Sequence, residues 1–213
     1  MKQLFLYLLV KVFLGAALSA YFRLHHVRVY GKENIPFGRP AIFYANHPSN
    51  LDPFLILVLG FWPKIIWRPD CLPWPLAAEE VMKRFKLGWL LDYVCVSVRR
   101  GSGSAGAIRQ AVKKLREGKS VLIFPEGRRT GQEEIMEIQG GIKLISRFCR
   151  EAPLVPIIVN GTSRVLPPKK KWPCWRNSSV SVSFGRRFLV NLTEQPEECQ
   201  PAILREILAG FAG

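Results

Sequence analysis

The chain has 213 residues, which is enough for one domain of ordinary size with a buried core. Its hydrophobic fraction of 48% and charged fraction of 22% are those of a globular protein and exclude a disordered or fibrous chain. A formal net charge of +15 indicates an anionic partner: a lipid surface, a nucleic acid, or an acidic carrier or substrate. Five scattered cysteines without C-x-x-C spacing argue against a disulfide framework or a structural zinc site, and fit a reducing compartment.

The first predicted element is an apolar helix over residues 4–22. Lys11 is its only charged residue, and helical spacing places it on one face with two small residues. We expect residues 1–24 to form a membrane-anchoring helix that lies in the membrane interface or is shallowly inserted, with Lys11 reaching the headgroups. A true membrane span and a cleaved signal peptide are the alternatives. Residues 25–213 are predicted to form a single domain, with its active site on the cytoplasmic side.

Beyond this segment, short β-rich runs alternate with helical stretches. The predicted strands are His26–Tyr30, Ala41–Ala45, Lys64–Trp67, Tyr93–Val98, Val121–Phe124, Val155–Val159 and Val180–Phe184. The predicted helices are Leu51–Gly60, Ala105–Glu117, Glu137–Arg150 and Glu197–Phe211, and Ser163–Asn177 is predicted to be a loop. This alternation predicts an α/β fold with a mostly parallel central sheet flanked by helices. Ligand sites in such folds lie beyond the carboxyl ends of the strands.

A polar cluster, Asn46–Asp52, follows the second predicted strand. His47 is expected in the turn and Asp52 in the first helical turn, so both side chains can face one cleft. A carboxylate against one imidazole nitrogen fixes the tautomer and leaves the other nitrogen free to take a proton. Because the sequence has no G-x-S-x-G nucleophile motif, the pair is predicted to activate a substrate hydroxyl. The alternative is that Asp52 only stabilises the helix start and that His47 is a turn residue.

A second cluster, Phe124–Thr130, ends the fifth predicted strand. Its Pro and Gly force a tight turn that directs Glu126 and one or both arginines over the edge of the sheet. Arginine forks match phosphate oxygens bidentately, although a solvated surface turn is an equal alternative. Two shorter runs, Val98–Gly101 and Val155–Gly161, each read as a strand end when taken alone.

Together the four clusters resemble the glycerolipid acyltransferase family, whose best-known members are the 1-acylglycerol-3-phosphate acyltransferases. His47 and Asp52 match the N-H-x-x-x-x-D signature of that family. The Phe124–Thr130 block resembles F-P-E-G-T-R-S, but has Arg128 where Thr is usual and a conservative change at its last residue. The Val98–Gly101 run fits the basic block between them, so the resemblance covers roughly residues 26–165.

The resemblance implies a role for each block. His47 acts as general base on a glycerol hydroxyl, which attacks the thioester of acyl-CoA or acyl-carrier protein, and Asp52 orients His47. The residues that it assigns to the acceptor phosphate are Arg100, Glu126, Gly127, Arg128 and Arg129. Arg128 is either a second phosphate fork or a sign of a different headgroup. The block Val155-Pro156 is linked to the acyl chain or the thioester.

The predicted enzyme is therefore a membrane-associated O-acyltransferase of phospholipid biosynthesis. The favoured acceptor is 1-acylglycerol 3-phosphate, which gives phosphatidate, and the alternatives are another lysolipid or glycerol 3-phosphate. No metal or redox cofactor is expected, and the expected partners are the lipid acceptor, the acyl donor and an anionic membrane surface. Candidate docking residues for an acidic carrier or for anionic lipid are Arg109, Lys113, Lys114 and Arg116.

Two other functional classes compete with this interpretation. The run Gly101–Gly106 is a literal G-x-G-x-x-G between a strand and a helix, as in dinucleotide-binding oxidoreductases. That class leaves His47 and Asp52 unexplained and puts two arginines where apolar residues normally pack. A nucleic-acid-binding module fits the charge, but the sequence has no recognised RNA or DNA motif, so no nucleic-acid partner is expected.

Overall fold

A computed structural model describes residues 26–64, 68, 71–78, 96–98, 103–125, 141–167, 170, 174 and 179–189, together with 16, 17, 20 and 22. Its strands are β1 Val27–Tyr30, β2 Ile42–Ala45, β3 Trp74–Ala78, β4 Val96–Val98, β5 Val121–Ile123, β6 Leu154–Asn160 and β7 Val180–Phe184. Its helices are α1 Asp52–Leu55, α2 Gly103–Arg116, α3 Gly141–Phe148 and α4 Thr162–Val165. A π-helical turn, Ile56–Gly60, continues α1, and a 3-10 turn, Lys32–Asn34, follows β1.

These seven strands of the described residues form one sheet in the order β1-β7-β6-β2-β5-β3-β4. Neighbouring strands run parallel except for β6 and β7, which pair antiparallel. The prediction of an α/β fold with a mostly parallel central sheet is therefore confirmed. Sequence patterns missed β3, because Pro75 and two alanines disfavour a strand. In the predicted strand Lys64–Trp67, Lys64 instead belongs to a helical turn, and residues 65–67 lie outside the described part.

The central strand β2 is buried on both faces, which explains its continuous apolar sequence. Phe43 and Ala45 point into a core shared with α1, whereas Ile42 and Tyr44 point into a second core under α2 and α3. Alternate residues of one strand thus hold the two helical layers on opposite faces of the sheet.

The path of the chain makes β2 the point where the strand order reverses. Strand β3, which follows β2 and α1 along the chain, lies on one side of β2 in the strand order. Strand β6, which follows β5 and α3, lies on the other side of β2. In open α/β sheets, ligands bind in the crevice beyond the strand ends at such a reversal. The residues that follow β2, beginning with Asn46 and His47, therefore emerge at this crevice.

Little of the predicted N-terminal anchor lies within the described residues. Residues 16, 17, 20 and 22 are helical, and Phe22 is buried in the core that α1 shares with the sheet. No helix in the described part is long and apolar enough to cross a bilayer. The division into 1–24 and 25–213 remains a prediction, although Phe22 contributes to the core of the domain. The predicted C-terminal helix Glu197–Phe211 lies outside the described residues.

Candidate active site

His47 and Asp52 meet at the carboxyl end of β2. The imidazole Nδ1 of His47 lies 2.8 Å from Oδ2 of Asp52. The Asp52 side chain is completely buried, whereas 17% of the His47 side chain remains exposed. When the Asp52 carboxyl is ionised it can only accept a hydrogen bond, so Nδ1 is the donor of this bond. In a neutral imidazole with its proton on Nδ1, Nε2 keeps a lone pair. Among the described residues, Nε2 has no hydrogen-bond partner, so it can accept a proton from a bound molecule.

Three donors surround the buried Asp52 carboxyl. Oδ2 accepts from His47 Nδ1–H and from the backbone N–H of Ser49 at 2.7 Å, and Oδ1 accepts from the Thr162 hydroxyl at 2.7 Å. Burial raises the pKa of this carboxyl, and the three hydrogen bonds oppose that rise by favouring the charged form. A buried carboxylate is tolerated when it is bonded in this way.

The local sequence explains why the turn and helix bring the pair together. Asp52 reaches back three residues to the N–H of Ser49, and Ser49 Oγ accepts from the N–H of Leu51 at 3.2 Å. These two bonds close the turn that leads into α1, and Pro53 suits the first turn of α1 because it needs no N–H partner there. Asp52 therefore stabilises the helix start and contacts His47 at the same time, so the two readings of the sequence are compatible.

Asn46 fixes the backbone immediately before His47. Its side-chain amide donates to Val159 O at 2.9 Å and accepts from Val159 N at 2.8 Å, in the manner of one more backbone pair between β2 and β6. Asn46 is completely buried, so both bonds are shielded from water. Asn46 belongs to the predicted cluster Asn46–Asp52, but its own role is visible only in the structure. Its partner lies 113 residues away, which no local pattern reveals.

The short helix α4 ties the last sequence block to the pair. Thr162, at its start, bonds to Asp52, and the carbonyl of Leu166, just after its end, accepts from Ser49 Oγ at 2.7 Å. The predicted loop Ser163–Asn177 is thus helical at its beginning. Sequence reasoning missed Thr162, although a hydroxyl residue directly after the Asn160-Gly161 turn was a usable signal.

The imidazole of His47 stacks on Phe124, with ring centroids 4.1 Å apart and an interplanar angle of 25°. Phe124 opens the Phe124–Thr130 block, so the ends of β2 and β5 meet at His47. The predicted phosphate-binding residues Arg100, Glu126, Gly127, Arg128 and Arg129 lie outside the described residues, and their roles remain predictions.

Val155 and Pro156 lie within β6, side by side with Phe43 and Tyr44 of β2. Both are buried, and Val155 belongs to the core under α1. Their assignment to the acyl chain or thioester remains a prediction. The residue of this region that contacts the His47–Asp52 pair is Thr162, further along the chain.

The basic end of helix α2 lies away from the His47–Asp52 pair. The helix follows β4, the last strand in the order of the described residues, so the start of α2 at Gly103 lies away from β2, the reversal point at which dinucleotides bind in such sheets. Its basic end leads into β5, whose first residue, Val121, pairs with Ile42 at the amino end of β2. There Lys114 lies over the Trp74 ring and 3.1 Å from Glu117. The candidate docking lysines therefore lie toward the opposite end of β2 from His47.

The chain is similar to a known protein family and to several known proteins. The sequence profile of a family described as "Acyltransferase" matches residues 26–160. A protein named "Taffazin" from Dictyostelium discoideum is 32% identical over 131 residues, which are 57% of this chain and 44% of that protein. A "Probable 1-acyl-sn-glycerol-3-phosphate acyltransferase" from Mycoplasma pneumoniae is 28% identical over 161 residues, covering 76% of this chain and 59% of that one. The chain thus spans about half the length of these relatives.

A solved structure shares the fold. The 1-acyl-sn-glycerophosphate (LPA) acyltransferase PlsC from Thermotoga maritima superposes with a TM-score of 0.66 at 24% sequence identity. The alignment covers 92% of this chain and 75% of that one. The α/β arrangement described above is therefore that of a known enzyme structure.

Proposed function

The chain belongs to the Acyltransferase family, and from this premise we propose that it transfers a fatty acyl group from a thioester to a hydroxyl of a glycerol-phosphate lipid. The observation that carries the proposal is the His47–Asp52 pair: a buried carboxylate 2.8 Å from Nδ1, with Nε2 left without a partner among the described residues. The favoured acceptor is 1-acylglycerol 3-phosphate, because relatives in Mycoplasma pneumoniae and Bacillus subtilis carry the name of that acyltransferase. The product would be phosphatidate.

The proposed reaction needs no enzyme nucleophile. Nε2 of His47 removes the proton from the acceptor hydroxyl while the oxygen attacks the carbonyl carbon of the thioester. The new C–O bond forms, the tetrahedral intermediate collapses, and the C–S bond breaks. The imidazolium then returns the proton to the departing sulfur, which leaves as the thiol of CoA or of acyl-carrier protein. Asp52 stabilises the imidazolium between these two transfers. The bonds and protons of these reaction steps balance without a metal or redox cofactor.

The acceptor phosphate is proposed to bind the basic blocks, and the support for this is the motif resemblance. The residues involved are Arg100, Glu126, Gly127, Arg128 and Arg129. Two adjacent arginines offer two guanidinium forks, each able to hold two phosphate oxygens. The acyl chain is proposed to lie toward Val155 and Pro156. Glycerol 3-phosphate and other lysolipids are the competing acceptors.

We also propose that the protein works at an anionic membrane surface, with its active site on the cytoplasmic side. The apolar segment 4–22 and the net charge of +15 support this. A chain lacking residues 1–15 keeps the buried Phe22, so it separates membrane attachment from core packing. Loss of sedimentation with phosphatidylglycerol vesicles in this variant supports the proposal. Unchanged sedimentation in high salt contradicts it.

An acyl-transfer assay tests the function. Purified full-length protein in mixed micelles receives 1-acylglycerol 3-phosphate, glycerol 3-phosphate or a lysophospholipid, with either acyl-CoA or acyl-carrier protein. Mass spectrometry then identifies the product. We expect phosphatidate from the first acceptor, in the presence or absence of EDTA. Failure to acylate any acceptor in the panel, or oxidation of NADPH in its place, would overturn the proposal.

A further inference from the structure

Thr162 lies outside the four sequence clusters but contacts the buried carboxyl of Asp52. Its side chain is completely buried, and its hydroxyl donates to Oδ1 of Asp52 at 2.7 Å. The other carboxylate oxygen, Oδ2, is already engaged by His47 and by the backbone of Ser49. The Thr162 hydroxyl is therefore the donor to Oδ1 within the described residues.

We propose that Thr162 is a positioning residue for the reaction: its hydroxyl holds the Asp52 carboxylate in the orientation that His47 requires. The inference rests on the proposed function, because it assigns Thr162 a task in the use of His47 as a base. Without this donor, Oδ1 would be a buried oxygen with no partner, which is costly. The carboxylate would then rotate to share the remaining donors, or take up a proton. Either change misaligns the imidazole.

The backbone around Thr162 leaves the hydroxyl little freedom. Gly161 has a φ of 80°, a conformation that favours glycine, and a Cβ added there would overlap the carbonyl of Ser179. After the helix, Leu166 accepts the hydrogen bond from Ser49 Oγ. Both ends of α4 are thus attached to the segment that carries the pair. Such support beneath a catalytic group is what holds it in a productive geometry.

A purely structural role is the competing explanation, and α3 supplies a matched control. The hydroxyl of Ser146 is also buried, but it donates to the carbonyl of Ile142 within its own helix. Removing it deletes a buried hydrogen bond on the opposite face of the sheet from α1, the helix that carries Asp52. Ser146→Ala therefore measures the cost of losing a buried hydroxyl that has no link to Asp52.

The kinetic experiment compares Thr162→Val, which removes the hydroxyl at nearly constant shape, with Thr162→Ser, which keeps it. We expect kcat to fall roughly 10-fold in T162V, with the acceptor KM changed less than about twofold. T162S and S146A should remain within about twofold of the wild type.

The pH profile provides a further test. The titratable group that contacts Asp52 in the described part of the chain is His47. Losing a donor to the anion favours protonation of the pair, so the acidic limb of the pH profile should move to higher pH in T162V.

A second readout needs no substrate. The Nδ1–H proton of His47 reports on its bond to Asp52, and NMR on 15N-histidine-labelled protein should show its resonance unchanged in T162S and displaced or lost in T162V. Thr162→Ala replaces valine if T162V does not fold. Wild-type kcat and resonance in a folded T162V overturn the inference, and so does an equal loss in T162S. If the wild type acylates nothing, the proposed function fails, and the resonance still decides whether Thr162 positions the pair.

Discussion

At the carboxyl end of β2, buried polar side chains bond to one another, whereas at its amino end a buried hydroxyl only completes the backbone ladder. The first end holds a carboxylate, an imidazole and the hydroxyl of Thr162 in one chain of hydrogen bonds. At the second end, Ser120 Oγ accepts the N–H of Ala41 at 3.1 Å, and nearby charges such as Lys114 are paired at the surface. The Asp52 carboxyl and the Ser120 hydroxyl are both buried, and both have hydrogen-bond partners.

The two ends of β2 differ in whether a hydrogen-bonding atom is left without a partner among the described residues. At the amino end the buried bond is closed between Ser120 and the backbone of Ala41. At the carboxyl end, the half-buried His47 keeps one nitrogen without a partner among the described residues. A general base needs such an available lone pair. Substitutions at the two ends should therefore separate activity from stability.

The largest expected effect is that of His47→Ala. It removes the proposed base while leaving Asp52 bonded to Ser49 and Thr162. We therefore expect kcat to fall by roughly 10²–10⁴ with little change in thermal unfolding. Steady-state kinetics and calorimetry measure the two quantities. His26→Asn is the control, because His26 has a φ of 56° that asparagine tolerates and lies directly before β1. Turnover by H47A close to that of the wild type would sink the mechanism.

The next effect concerns Arg129, which follows β5 in the predicted phosphate-binding block. Loss of a bidentate contact should raise the acceptor KM roughly 10–150-fold in Arg129→Ala, and lysine should restore it only in part. Arg116→Ala removes the same charge from the exposed basic end of α2 and should change KM less than about twofold. Equal losses in both variants would mean that the arginines act only through general electrostatics.

Two glycines with positive φ give a matched pair, one at each end of the sheet. A Cβ at Gly118, after α2, meets nothing within 4 Å, whereas one at Gly161 meets the Ser179 carbonyl. Gly118→Ala should lower the free energy of unfolding by about 1–2 kcal/mol, the cost of the left-handed conformation. Gly161→Ala should cost more and also lower kcat, because the backbone that carries Thr162 must move. If both variants lose the same unfolding free energy and have the same kcat, a backbone displacement at Gly161 does not reach the His47–Asp52 pair through α4.

The smallest expected effect on activity is that of Ser120→Ala. It leaves the N–H of Ala41 unpaired in the core and should lower the free energy of unfolding by about 1–3 kcal/mol. Because the change lies at the amino end, kcat should remain within about twofold of the wild type at a temperature where the variant is folded. Chemical denaturation and the acyl-transfer assay provide the comparison. A loss of kcat as large as that of T162V would remove the distinction between the two ends.

The sequence predicted the strands and the site geometry that depend on residues close together in the chain. The apolar runs gave β2, β6 and β7, and the spacing of His47 and Asp52 placed both on one turn and helix start. The parts that it missed are tertiary. Thr162 bonds to a residue 110 positions away, so the local pattern around it reads as loop. β3 forms despite Pro75 because its neighbours on both sides provide a parallel ladder.

The side-chain bridge from Asn46 to Val159 has a consequence for when the site comes into being. A nascent chain that has produced β2 and α1 already contains His47 and Asp52, yet the residues that align them lie more than a hundred positions later. Contacts at such separation form only after the intervening chain has closed into a large loop. We therefore expect the proposed base to be aligned only when β6 docks against β2, and a chain released before β6 is complete should carry the signature residues without their geometry.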